Sequence, residues 1–259
     1  MNGRIPDIAS SRHRPRLGVA LLAALLTACT PSTLTDLPGE LTRAARDQLL
    51  NTLAGQYKQR LGSSVNTLIS DLGKPGGYLD NPLVRILLPP PVGMALAVAR
   101  TLQADADTAL LETLMNEVAE QALPGAAPIV QAALAQITPA EAKRLLEGDA
   151  TAGTEYLKTK TAAALEAALS PVVDAKLAGS GAKLIYGELV EAYQAQRPEL
   201  PAADSSVPPP EPAPDLGAYV AERTVDGLFK VLGEREAEIR KDIERASGGM
   251  LSPGVPQLR

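Results

Sequence analysis

The stretch LTRAARDQLLNTLAGQYKQRLGSSVNTLISDL, residues 41–72, decides the fold class of this chain. Apolar residues recur in it at steps of three or four, the spacing that places side chains on one face of an α-helix. The stripe consists of Leu41, Ala45, Leu49, Leu53, Tyr57, Leu61, Val65, Leu68 and Leu72. At a rise of about 1.5 Å per residue, it predicts a single helix about 48 Å long.

The same helical spacing continues downstream, while the alternation typical of β-strands is nearly absent. Apolar faces of this kind lie within residues 110–118, 126–137, 157–173, 186–193 and 216–232. Thr138-Pro139-Ala140-Glu141 has the pattern of a helix start, with a capping threonine and a glutamate placed to reach back to it. Pro171 is expected to start or kink a helix. We therefore predict an all-α, bundle-like domain over residues 40–245, with one long N-terminal helix.

Residues 198–214 interrupt this pattern. Seven of them are prolines, and they offer almost nothing to bury. This composition favours an extended, solvated linker, although proline-rich segments also dock into aromatic grooves of other proteins. Residues 246–259, rich in Gly, Ser and Pro, are predicted to be a disordered tail.

Residues 1–28 have the three parts of a secretory signal peptide: a basic segment, an apolar segment from Leu17 to Ala28, and small residues before a cut. The apolar segment would extend only about 18 Å as a helix, against roughly 30 Å of hydrocarbon, so it is too short to span a membrane. We interpret it as a signal that is removed. Residues 29–39 are then a tether between the membrane and the first helix.

Leu26-Thr27-Ala28-Cys29 resembles a bacterial lipobox. On this interpretation Cys29 becomes the new amino terminus and carries acyl chains, palmitate among them, and two or more chains give stable membrane anchoring. The alternative is an ordinary cleaved signal with a chance cysteine, but Leu26-x-Ala28 matches poorly the small-x-small pattern that such cleavage prefers. By resemblance to sorted lipoproteins, Thr30 indicates the outer membrane, with the protein facing the periplasm of a Gram-negative bacterium.

Removal of the leader limits the chemistry of the mature chain. His13, the single histidine, is lost, and Cys29, the single cysteine, is used for lipid. Nucleophiles activated by histidine and metal sites built on His or Cys are therefore excluded, and we predict no cofactor and no metal. Four arginines and one aspartate are also removed, which moves the formal net charge from −5 to −8 and disfavours nucleic acid as a partner.

The stretch GKPGGYLDNPLVRILLPPP, residues 73–91, is predicted to be neither a helix nor a featureless linker. Gly76-Gly77 permits a tight turn, and residues 84–88 alternate as a short extended segment, at most part of a hairpin. One interpretation is that the loop has a purely structural role, because glycine and proline most often mark turns and chain reversals. The other is a recognition surface, since loops on rigid scaffolds often carry binding residues. Its candidate residues are Lys74, Tyr78, Asp80, Asn81 and Arg85, with Tyr156 and Asp226 on the helices expected to meet the loop.

Together with ITPAEAK (137–143), TEYL (154–157) and YVAERTVDGLF (219–229), this loop resembles the bacterial lipoprotein family catalogued as domain of unknown function 4197. The resemblance covers roughly residues 40–245. It implies a helical, envelope-associated protein and assigns no biochemical activity. After Tyr156 the chain has Leu-Lys-Thr-Lys, where the family usually has an aromatic residue and paired arginines.

Three other patterns are weaker. Ser180 and Lys183 match the Ser-x-x-Lys of penicillin-binding enzymes, but the accompanying motifs are absent from the sequence. The charged run 234–245, in which Glu236 and Arg240 are four apart, is interpreted as a solvated helix face. Asp226 precedes a glycine inside an apolar stripe, so its carboxylate needs a partner, either a structural Lys or Arg or a ligand.

Three function classes remain open at this point. The first is a non-enzymatic, lipid-anchored protein that binds or scaffolds another envelope component. The second is a carrier of an apolar molecule held between helices, which would require an enclosed apolar cavity. The third is a hydrolase that uses two carboxylates facing each other across a cleft. We expect the first class, an anchored protein with an unidentified envelope partner and no enzymatic activity.

Overall fold

A computed structural model describes residues 37–90, 92–93, 102–196 and 212–247. The predicted signal peptide, Cys29 and nearly all of the tether lie outside the described residues. So do residues 198–211 of the predicted linker and most of the predicted tail.

The described residues form helices joined by turns and loops, and they contain no β-strand, so the predicted all-α class is confirmed. The α-helices are α1 (Leu37–Leu72), α2 (Leu102–Ala122), α3 (Ala127–Gln136), α4 (Pro139–Glu147), α5 (Ala152–Gly179), α6 (Ala182–Gln196) and α7 (Leu216–Ala246), with a 3₁₀ turn at Leu123–Ala126. Among the described residues, no helix is both long enough and apolar enough to cross a membrane.

The chain divides into two units. The first, which ends at Leu49, is described only from residue 37 and consists there of the beginning of α1. The second, from Leu50 onward, contains the hydrophobic core. Within it, the stripe residues of α1 are buried, namely Leu53, Tyr57, Leu61, Val65, Leu68 and Leu72. The periodicity that predicted the helix is thus also the periodicity of its burial.

Local signals in the sequence account for several helix boundaries. The Thr138 N–H donates to the Glu141 carboxylate at 2.9 Å, and the Glu141 N–H donates to the Thr138 hydroxyl at 3.2 Å. This reciprocal capping box satisfies two N–H groups at the start of α4. Pro171 does not start a helix, because it lies inside α5.

The start of α7 is bound to α6 by one hydrogen bond. The Tyr186 hydroxyl donates to the carbonyl of Pro214 at 3.0 Å, and Asp215 caps α7 by accepting from the Ala218 N–H at 2.8 Å. Burial raises the pKa of Tyr186 to about 12, so its hydroxyl remains a donor at neutral pH. The end of the predicted linker is therefore held against α6.

Candidate functional site

The loop between α1 and α2 is bound to α2 by three polar side chains, Glu112, Asn116 and Glu120. These residues are four apart, so they share one face of the helix. Asn116 is fully buried, and its amide accepts from the Ile86 N–H and donates to the Ile86 carbonyl, both at 2.8 Å. The Glu112 carboxylate accepts from the Leu88 N–H at 3.2 Å. The extended segment thus pairs with side chains of α2, where a hairpin would pair with a second strand.

Glu120 holds the beginning of the same loop. One of its carboxylate oxygens accepts from the N–H groups of Tyr78 and Leu79, at 2.9 and 3.0 Å. The turn that presents these groups requires Gly76, which has a φ of 83°. It also requires Gly77, where a Cβ would lie only 2.3 Å from the carbonyl oxygen of Leu72. The backbone of the loop is therefore fixed, as both interpretations of it expected.

Tyr78 does not lie on a surface, and its prediction as an exposed recognition residue is wrong. Its side chain is fully buried, and its hydroxyl donates to the carbonyl of Thr224 on α7 at 2.6 Å. Burial raises the pKa of this hydroxyl, which therefore stays protonated. Gly227 makes room for the ring, because a Cβ there would lie 2.7 Å from a ring carbon of Tyr78. Tyr78 holds the loop against α7.

The other loop residues expose their side chains to different degrees. Asp80 and Arg85 are exposed, and Arg85 lies 3.4 Å from the carboxylate of Glu112. Asn81 is partly buried, and its side-chain oxygen accepts from the Leu83 N–H two residues on, a local turn contact.

Lys74 belongs to a small ion-pair cluster at the end of α1. Its ammonium lies 3.0 Å from Asp71, whose other carboxylate oxygen lies 3.1 Å from Arg235 on α7. The hydrogen bond from Lys74, followed by that from Arg235, lowers the pKa of Asp71.

Asp226 has structural partners, one of the two alternatives that the sequence left open. Its carboxylate lies 3.2 Å from Lys158 on α5 and 3.6 Å from Arg223 on α7. The neighbouring Gly227 contacts the loop through Tyr78, so the loop and Asp226 do lie on adjoining parts of the molecule. Tyr156, also on α5, makes a cation–π contact: its ring centre lies 5.9 Å from the ammonium of Lys160 on the same helix.

A buried polar network that the sequence did not predict lies at the start of α5. Glu236 on α7 is fully buried. Its carboxylate accepts from the N–H groups of Gly153 and Thr154, at 2.9 and 2.6 Å, from the Thr154 hydroxyl at 2.7 Å, and from the Tyr57 hydroxyl at 2.5 Å. Thr151, the residue just before α5, makes no side-chain capping hydrogen bond. The carboxylate of Glu236 therefore caps the N-terminus of α5 from a different helix.

Arg240 performs the complementary task for α4. Its guanidinium lies 2.8 Å from Glu236 and donates to the carbonyls of Leu145 and Leu146 at 2.6 and 2.8 Å. These carbonyls belong to the last turn of α4, where backbone donors within a helix run out. The Leu145 carbonyl also accepts from the Gly148 N–H at 3.1 Å. The guanidinium also lies 4.9 Å from the centre of the Tyr57 ring. One ion pair on α7 thus satisfies the end of α4 and the start of α5.

The interpretation of Glu236 and Arg240 as a solvated helix face is therefore wrong. Their separation of four residues indicates an ion pair on a helix but not which side of the helix faces water. The nearest sequence signal is Gly153, where a Cβ would lie 2.1 Å from the Tyr57 hydroxyl oxygen and 3.1 Å from a Glu236 carboxylate oxygen. Gly153, at the start of α5, is therefore where Tyr57 and Glu236 approach the helix backbone closely.

The buried carboxylates of Glu120 and Glu236 accept hydrogen bonds from the protein itself. No group of three or more His, Cys, Asp or Glu that could hold a metal occurs in the described part of the chain. Two open grooves flank α1: one of about 1130 Å³ beside α7, the α1–α7 groove, and one of about 390 Å³ beside α3. Neither groove is an enclosed cavity.

Comparison with known proteins places most of the chain in one family. The model of a family described as "Protein of unknown function (DUF4197)" matches residues 50–252. The match includes the loop and all of α2–α7. No curated protein and no solved structure matches the chain.

Proposed function

This chain belongs to the DUF4197 family, and from that premise we propose that it is a lipid-anchored, non-enzymatic binding or scaffolding protein of the cell envelope. In this proposal Cys29 carries the acyl chains, the protein faces the periplasm from the outer membrane, and an envelope protein is its partner. The leader and the lipobox-like Leu26-Thr27-Ala28-Cys29 support the anchor.

The absence of enzymatic activity is supported by one observation. The buried ionisable groups of the described residues hold the fold together, since Glu120 binds loop N–H groups and Glu236 binds helix N–H groups. A hydrolase of the paired-carboxylate class that the sequence left open needs two carboxylates that face each other across a cleft with substrate between them. A carrier needs an enclosed apolar cavity, whereas the two grooves beside α1 are open.

The exposed surface near the loop is the proposed place of recognition. Asp80 and Arg85 project from a backbone that Glu112, Asn116 and Glu120 hold fixed, so little conformational entropy is lost when a partner binds them. Lys158 on α5 and Asp226 on α7 form an ion pair beside Gly227, the residue of α7 that contacts the loop through Tyr78.

The anchor can be tested by replacing Cys29 with alanine. We expect the variant to leave the membrane fraction for the soluble periplasmic fraction and to lose labelling by a fatty-acid probe, because the acyl chains supply the membrane affinity. The control is Ser180→Ala in the full chain, which should keep both properties. If Cys29→Ala stays in the membrane fraction and the wild-type protein takes up no fatty-acid label, the lipid anchor is refuted.

The recognition surface can be tested with Arg85→Ala and Asn81→Ala. Arg85 makes one exposed ion pair, so its removal should change the free energy of unfolding by less than about 1 kcal/mol. Asn81 makes one local hydrogen bond and should cost about 1 kcal/mol. We expect both variants to recover much less partner in a pulldown from detergent-solubilised membranes.

Arg144→Ala is the matched control for this experiment, because Arg144 is also an exposed arginine with a single ion pair, on α4. It should retain the partner. Full recovery of the partner by both loop variants would show that the loop has a structural role and does not bind the partner. The same conclusion would follow if both lost several kcal/mol of stability.

A further inference from the structure

Helix α1 separates the point where the chain enters its second unit from the point where the loop begins. The second unit starts at Leu50, and α1 ends at Leu72. At a rise of about 1.5 Å per residue, these two positions lie about 33 Å apart along the helix. The chain therefore arrives from Cys29 at one end of this length, and the loop departs at the other.

The loop is fixed to the far end of α1. The Gly73 N–H donates to the carbonyl of Ile69 at 3.0 Å. Gly77 packs so closely on the helix that a Cβ there would lie 2.3 Å from the carbonyl oxygen of Leu72. Because the side chains of α2 hold the rest of the loop, it cannot swing back toward Leu50 without breaking these contacts.

This length is large compared with the surface layer of a membrane. A bilayer about 40–45 Å thick has a hydrocarbon core of about 30 Å, so each headgroup layer is only about 5–8 Å deep. Proteins of the bacterial outer membrane have short turns on their periplasmic side. With the Leu50 end of α1 toward the membrane, neither the headgroups nor such turns reach the loop.

The outer face of the loop has the mixed character of a protein-binding surface. Val84, Ile86 and Leu88 point inward and are buried, whereas Arg85 and Leu87, which alternate with them, point outward. The side chain of Leu87 is 57% exposed. Protein interfaces combine an apolar centre with a polar rim and are enriched in arginine. This face therefore suits another protein as its partner.

We infer that the loop surface binds a protein, or the periplasmic domain of a protein, that is not embedded in the membrane that carries this chain. The inference rests on the proposed lipid anchor and the proposed binding function. It specifies the direction from which the partner arrives. The partner approaches the loop from the periplasm, while the anchoring membrane lies toward Leu50.

The orientation can be tested with two single-cysteine variants on α1, Asn51→Cys and Ser70→Cys, at exposed positions. Cys29 is the single cysteine of the chain and is blocked by lipid, so a maleimide dye labels only the introduced thiol. Energy transfer to rhodamine-phosphatidylethanolamine is measured with the full lipidated chain on phosphatidylcholine nanodiscs. We expect transfer about twofold or more higher from position 51, because about 28 Å separates the two positions. Equal transfer, or more from position 70, would overturn the inference.

The location of the partner can be tested by pulldown with the lipidated chain from two fractions. One is outer membrane stripped of peripheral proteins at alkaline pH, and the other combines the soluble periplasm with the inner membrane. From the second fraction only, we expect a protein that the wild type and Arg144→Ala recover and Arg85→Ala loses. Leu87→Ser should lose it too, whereas Leu184→Ser, at an exposed leucine of α6, should retain it. Recovery of such a protein from the stripped outer membrane would contradict the inference.

The two experiments separate this inference from the proposed function. If the two labels transfer equally while a partner still depends on Arg85, the inference fails and the binding function stands. If neither fraction yields a protein that depends on Arg85, the binding function fails and the inference fails with it.

Discussion

Replacing Glu236 with alanine is expected to lower the free energy of unfolding by about 3–5 kcal/mol, the usual cost of removing one partner of a buried ion pair. The variant leaves the Arg240 guanidinium, whose side chain is only 12% exposed, without its carboxylate. It also leaves the N–H groups of Gly153 and Thr154 without an acceptor. Chemical denaturation followed by circular dichroism measures the loss.

Glu238→Ala is the matched control, because this carboxylate lies two residues from Glu236 on the same helix but is exposed, and its ion pair is with the exposed Lys241. It should change stability by less than about 0.5 kcal/mol. Should Glu236→Ala not fold, Glu236→Gln keeps the shape and removes the charge, and it is expected to fall between the two. Equal stability of the Glu236 and Glu238 variants would show that the network contributes nothing.

Replacing Asn116 with leucine should produce the second large effect, a loss of about 3 kcal/mol. Leucine has a similar size, but it leaves both the N–H and the carbonyl of Ile86 unpaired in the interior, and each unpaired group costs about 1–3 kcal/mol. Because the loop then loses one of its three side-chain attachments to α2, we also expect faster hydrogen exchange at residues 78–88 than elsewhere in the core.

Asn66→Leu is the control for this prediction. Asn66 is an exposed amide on α1 that bonds only the Gln131 side chain, at 3.0 Å. Its replacement should cost less than about 0.5 kcal/mol and leave exchange in the loop unchanged. If Asn116→Leu is as stable as Asn66→Leu, Asn116 does not contribute to holding the loop against α2.

Features that depend on neighbours in the sequence could be predicted from it. The all-α class and the capping box at Thr138 follow from residues within three or four positions of one another. The burial of the α1 stripe from Leu53 to Leu72 follows from the same spacing. Each of these requires only the geometry of a single helix.

The candidate site could be predicted only in part, because its polar contacts join distant residues. Glu236 binds Gly153 across 83 positions, and Asn116 binds the backbone of Ile86, which carries no sequence signature. On a helix, Glu112, Asn116 and Glu120 form a polar stripe whether they face water or a loop. Tyr78 was misassigned for the same reason. Its approach to α7 is visible only in the structure, where a Cβ at Gly227 would lie 2.7 Å from a ring carbon of Tyr78.

The hydrogen bond between Tyr186 and Pro214 has a consequence for how the chain can vary in length. It fixes the return of the chain beside α6, the helix from which residues 197–213 depart, so both ends of this segment are held by the folded domain. Under such closure the cost of added residues is entropic and grows with the logarithm of length, about 0.6 kcal/mol per doubling. Residues can therefore be added to or removed from the proline-rich segment of this chain at small cost to stability.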